Sequence, residues 1–259
     1  MNRQKLLSVT AAFALGMSMV QANAADLSEP LPDSSDWTFT GAAYLWASGL
    51  EGSTGVLGYP PVDIDLSFSD ILEKLDGALM GAGEFRNGAF SVGLDVTYAS
   101  LSANVDTPFG IAANDVDITA KTFMGTAALG YSVIDTGTAN LDVIAGGRLW
   151  SVSNEFDFNG GILGGTRASD EATWLDPLFG AKFRAGISEN LYVSGWGMIG
   201  GFGVASDMMW DVMGGIGYNV SDTFSVFGGY RAVSVDYNDD GFVYDVVQQG
   251  PIFAGMFRF

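Results

Sequence analysis

Ten stretches in which apolar residues alternate with small or polar ones, a C-terminus whose aromatics share one strand parity, and a leader-like N-terminus together predict an all-β fold. The fold class they predict is a transmembrane, antiparallel, up-and-down β-barrel of about ten strands, with eight or twelve as alternatives. Long extracellular loops and short periplasmic turns belong to the same expectation. The C-terminal triplet is Phe253, Phe257 and Phe259, all on one strand face. A chain that ends on such a face suits lipid better than water.

Residues 1–24 read as a secretory signal peptide. Arg3 and Lys5 are followed by an apolar run over 6–20 and the small-x-small site Ala22-Asn23-Ala24. That run is shorter than the ~20 residues a spanning helix needs. Residues 25–36, with Pro30 and Pro32, read as a periplasmic lead-in, and 37–259 as one barrel domain. No later apolar run reaches spanning length, although 48% of the chain is hydrophobic and 36 residues are glycine, which excludes a helical membrane protein. Removing the leader leaves 9 basic against 30 acidic side chains, a charge of −21, which disfavours nucleic acid as a partner.

The predicted strands are 37–50, 77–86, 90–104, 116–132, 139–153, 172–188, 191–205, 208–219, 224–237 and 243–259. In the third, Phe90, Val92, Leu94, Val96 and Tyr98 oppose Ser91, Gly93, Asp95 and Thr97. In the fifth, Leu141, Val143, Ala145 and Leu149 oppose Asp142, Gly146 and Arg148. In the sixth, Leu175, Phe179, Ala181, Phe183 and Ile187 oppose Asp176, Gly180, Lys182 and Arg184. The first and fourth alternate less cleanly, as a bulge would cause. Asn87-Gly88 is a hairpin signal, and 188–190 and 220–222 are equally tight, with 133–138 slightly longer. The opposite connections include the long stretches 51–76, 105–115 and 155–171. Within the first, Val62, Ile64, Leu66 and Phe68 alternate and extend the wall, and 69–75 predicts a short helix capped by Ser69 or Asp70. A periplasmic sandwich is the rival fold. Its polar faces would carry many lysines and glutamates, whereas here that parity is rich in Gly, Ser and Thr.

Parity sends five acids and six bases inward: Glu84, Asp95, Asp142, Asp176 and Asp211 against Arg86, Arg148, Lys182, Arg184, Arg231 and Arg258. The two signs nearly balance in a very acidic chain. A packed, ion-paired interior and a thin charged pore both fit this set. The acidic surplus then falls mostly in loops, as solvated charge or as contacts, bridged by divalent cations, with lipopolysaccharide.

Tyr44-Leu45-Trp46, then Gly49-Leu50-Glu51-Gly52, then the run from Val62 through Ser69-Asp70-Ile71-Leu72 to Asp76 resemble a widespread group of uncharacterised Gram-negative outer-membrane β-barrel proteins. That group sits among small barrels loosely similar to OmpA-type and OmpW-type proteins. The resemblance implies fold and outer-membrane location, and no activity. The terminal Phe259, with Phe253 and Phe257, resembles the usual signal read by the barrel assembly machinery.

The chain has no histidine and no cysteine. A Ser–His nucleophile cannot be assembled, and zinc loses its usual ligands. The glycine-rich 160–165 is not followed by Gly-Lys-Ser/Thr, so it is no phosphate loop. No catalytic residue, metal or cofactor is expected. The function expected is non-enzymatic, envelope-structural or surface-interacting; the alternative is a narrow, porin-like conduit for small solutes.

Overall fold

Alternation becomes a closed sheet. The computed structural model describes residues 37–107, 111 and 113–259, so the expected leader and lead-in lie outside the described residues. The strands are β1 (Thr38–Trp46), β2 (Gly49–Gly55), β3 (Val62–Leu66), β4 (Leu75–Asn87), β5 (Phe90–Asp106), β6 (Asp115–Thr136), β7 (Ala139–Asn159), β8 (Arg167–Gly186), β9 (Leu191–Gly200), β10 (Met208–Asn219), β11 (Phe224–Asp239) and β12 (Phe242–Arg258). A helix, α1 (Phe68–Glu73), lies between β3 and β4.

Neighbouring strands pair antiparallel in sequence order from β4 to β12, and β1 closes the ring by pairing with both β4 and β12. Ten staves result, because β1 and β2 run along β12 in one register, Thr40↔Arg258 to Trp46↔Ile252 and Gly49↔Gln249 to Gly55↔Val243. The ladder is interrupted beside Pro251, whose ring nitrogen has no hydrogen to donate; Ala47 N–H still donates to the Pro251 carbonyl at 2.9 Å. The single predicted strand 37–50 is therefore two. Beyond Ala43↔Gly81 the wall divides: β2 pairs with β3, while Leu75–Met80 of β4 pairs with β5 only.

Three further boundaries are corrected. First, 155–171 is mostly strand, not loop, with β7 running to Asn159 and β8 starting at Arg167, whereas 105–115 stays a connection except at its ends, where β5 runs to Asp106 and β6 starts at Asp115. Their acids accordingly sit on strands, where Asn104 Nδ2 donates to Asp115 and Asp117 at 2.8 and 2.7 Å, and Asn159 Nδ2 donates to both at 2.8 Å. Second, β9 ends at Gly200 rather than 205, because its partner in β8 beyond Leu178 is Pro177, another missing donor. Third, the helix is capped by Ser67, not by Ser69 or Asp70: Asp70 N–H donates to Ser67 Oγ, and the Asp70 carboxylate accepts from Ser67 N–H, a capping box with Asp in the third position. The expected irregularity in the fourth strand is a register shift between Ser132 and Ile134.

The outward parity is an apolar belt. Leu45, Leu79, Phe90, Leu129, Leu175 and Phe253 are each at least 59% exposed, a face that water would penalise and hydrocarbon accepts. At the short-turn end, rings pair across strands: Phe39 with Phe85 at 4.6 Å, Phe90 with Tyr131 at 5.2 Å, Phe224 with Phe257 at 4.8 Å between centroids. Inside, toward the loop end, Trp174 stacks on Tyr237 at 3.9 Å and on Trp150 at 5.9 Å, with Tyr244 and Phe242 packed edge-on. All five are buried.

Candidate functional site

The lumen carries the polar chemistry, in layers stacked between the turn end and the aromatic cluster. Each strand places its share by parity. The inward row of β10 presents Asp211, that of β7 Arg148, that of β11 Arg231 and that of β5 Asp95.

These four meet at mid-height. Asp211 accepts from Arg148 Nη2 at 2.6 Å, from Arg231 Nη2 at 2.8 Å and from Trp196 Nε1 at 2.9 Å. Arg231 also donates to Asp95 at 3.0 Å and to the Tyr44 hydroxyl at 3.1 Å, and Tyr44 donates to Asp95 at 2.8 Å. Its guanidinium lies between the rings of Trp46 and Trp196, 5.1 and 5.3 Å from their centroids. Arg148 Nε donates to Thr126 at 2.8 Å, while its Nη1 has no partner among the described residues. Arg148, Asp211 and Arg231 are fully buried. A buried ion needs a counter-ion and filled hydrogen-bond positions; one carboxylate shared by two guanidinium groups, the second of which also holds Asp95, nearly balances the layer.

A second cluster lies nearer the turns. Asp142 pairs with Arg86 and, at 3.3 Å, with Lys182, and accepts from Ser132 Oγ at 2.7 Å. Glu84 pairs with Lys182 and, at 3.1 Å, with Arg86. Asp176 stands apart. It is fully buried beside the aromatic cluster and has no ion-pair partner among the described residues; Ser206 N–H and Oγ donate to it at 2.9 and 2.6 Å, and Trp174 Nε1 at 3.2 Å. Arg184 and Arg258 join neither cluster. They line a polar cavity of about 510 Å³ open at the turn end.

Among the described residues, ten of the eleven charges, all but Arg258, thus have a side-chain or backbone polar partner for the charged group across the lumen or along its wall. Tyr44, Thr126, Ser132 and Trp196 share the inward parity and were findable by it. Ser206 sits in the connection 201–207, where no periodicity points to it. The aromatic triplet faces outward, with Phe253, Phe257 and Phe259 at 60, 52 and 77% exposure.

No family model and no curated protein matches the sequence. Solved structures do. The outer membrane protease OmpT from Escherichia coli is similar at 11% identity, covering 89% of this chain and 99% of that one, with a TM-score of 0.55. The translocator domain of the autotransporter NalP from Neisseria meningitidis is similar at 12% identity, covering 85% and 88%, TM-score 0.43. The attachment invasion locus protein Ail of Yersinia pestis is similar at 12% identity, covering 86% and 98%, TM-score 0.36. The likeness to OmpT establishes the shared fold, that of an outer-membrane β-barrel.

Proposed function

We propose that this chain is a sealed integral barrel of the outer membrane, non-enzymatic, with an envelope-structural or surface-interacting role. The observation that carries the reading is the mid-height layer: Arg148, Asp211 and Arg231, from three strands, have no exposed surface and bind one another across the lumen. Side chains that bridge the interior leave no continuous water path at that height. The aromatic cluster adds a second, apolar barrier.

The same contacts support the absence of catalysis. Asp142, Asp176 and Asp211 are each held by two or more donors and have no exposure, so none meets a substrate. Short turns and the C-terminal strand end lie at the periplasmic side in this reading, and the outward polar ladders on β5 to β8 stand above the bilayer, toward lipopolysaccharide. Biogenesis runs through a cleaved leader at 1–24 and the assembly machinery.

Recording of the purified protein in planar bilayers tests the seal. The expected result is silence across salts and voltages. Discrete conductance steps would replace this reading with the narrow conduit.

A further inference from the structure

Six cations face the lumen, and four of them have a carboxylate within 4.0 Å: Arg86, Arg148, Lys182 and Arg231. The remaining two, Arg184 and Arg258, have none among the described residues, and both line a cavity at the turn end. In a chain with 30 acids and 11 bases, unpaired guanidinium groups are scarce. Two in a single pocket call for an occupant. We propose that this cavity binds an oxyanion, the carboxylate or phosphate group of a small ligand. The proposal does not depend on whether the mid-height layer is sealed.

Arg184 is built into place. Its Nη2 donates to Asn219 Oδ1 at 3.1 Å, and its guanidinium carbon lies over the Tyr192 ring, 3.3 Å from the centroid. That ring fits because residue 217 is glycine; a Cβ there would collide with the Tyr192 ring. Arg184 has no carboxylate partner among the described residues, and it lines the cavity together with Arg258. A planar fork fixed on an aromatic face is suited to two oxygens of one anion. Thr40, Asn190 and Ser225 add neutral donors around the same space. The volume, about 510 Å³, suits a small molecule or the end of a peptide.

Glu189 and Asp222, from the adjoining turns, line the cavity as well, and neither pairs with either arginine. They repel a bare polyanion. They accept a ligand that carries an ammonium or hydroxyl group near its anionic end.

Isothermal titration of the full chain in non-ionic detergent tests the site with three probes: trialanine with a free carboxylate, the same peptide as its C-terminal amide, and inorganic phosphate. We expect one-to-one binding of the free acid or of phosphate, weakened at least tenfold by Arg184→Gln and by Arg258→Gln. Lys74→Gln, at the C-cap of α1 at the loop end, leaves it unchanged. Heat-modifiable migration on a detergent gel confirms that each variant is folded. Binding of the free acid without the amide assigns a carboxylate ligand; binding of phosphate alone assigns a free inorganic anion. If neither probe binds the unaltered chain, or if both arginine variants bind as well as it does, the proposal is overturned.

Discussion

At the scale of single residues, Asp211 is the position on which the lumen turns. Arg148 and Arg231 both donate to its carboxylate, and neither is exposed to water. Asp211→Asn leaves two buried cations short of a counter-ion, and breaking such a group costs about 3–5 kcal/mol. Urea unfolding of the reconstituted barrel should show that loss. Replacing Arg148, Asp211, Arg231 and Asp95 together by Met, Leu, Met and Leu should recover most of it, because no charge is then stranded. Phe259 behaves in the opposite way. Its backbone is tied to Phe39 by N–H donors at 3.0 and 2.8 Å, while the residue is 77% exposed and its ring stacks on that of Phe39, 6.1 Å between centroids. Phe259→Ala should therefore change folded stability by less than about 1 kcal/mol and yet lower the yield in the outer membrane, as quantified by fractionation; equal yield would remove its role as an assembly signal. The inward face of each charge is legible from parity in the sequence. Which charges meet is not: Arg231 and Asp95 are 136 residues apart, and their contact depends on how far the staves are sheared around the ring.

At the scale of elements, the alternation reveals where strands exist and conceals where they end. Above the apolar belt the outward parity turns polar, with Asn104, Asp117, Glu155 and Asp157, so a continuing strand reads as a loop although Val116, Ile118, Phe156 and Phe158 keep the inward period. Pro177 and Pro251 mark the two ladder interruptions, and a proline inside an alternating run is a signal the pattern alone passes over. Helix α1 shows the same blindness by one turn. Its cap is Ser67, and hydrogen bonds from the Ser67 side chain and backbone hold the Asp70 carboxyl below its ordinary value of 3.8. A carboxyl depressed in the folded state contributes support that is complete above its unfolded value and lost as pH falls through the folded one. The helix should thus loosen only below about pH 4. Ser67→Ala should bring Asp70 back toward its ordinary value, which carboxyl-carbon NMR titration reads directly; an unmoved titration would mean that the box does not persist in solution.

At the scale of the whole molecule, the sealed barrel proposed above has two barriers in series along one axis, and they differ in kind. The mid-height layer is ionic: Arg148, Asp211 and Arg231 close it with hydrogen-bonded charge. The layer toward the loops is apolar: Trp174 is stacked at 3.9 Å on Tyr237 and braced by Trp150 and Tyr244. In that reading, water and ions crossing the barrel meet both. Replacing the three ions by alanine removes charge and volume from one barrier only, and the ring stack continues to exclude water. Trp174→Ala with Tyr237→Ala opens the other, and the ion layer still fills the lumen beneath it. Each set alone should remain silent in planar bilayers, and the combined variant should show steady conductance, provided that heat-modifiable migration reports a folded barrel in every case. Conductance from the alanine-substituted ion layer alone would place the whole seal in Arg148, Asp211 and Arg231 and reduce the aromatic cluster to packing.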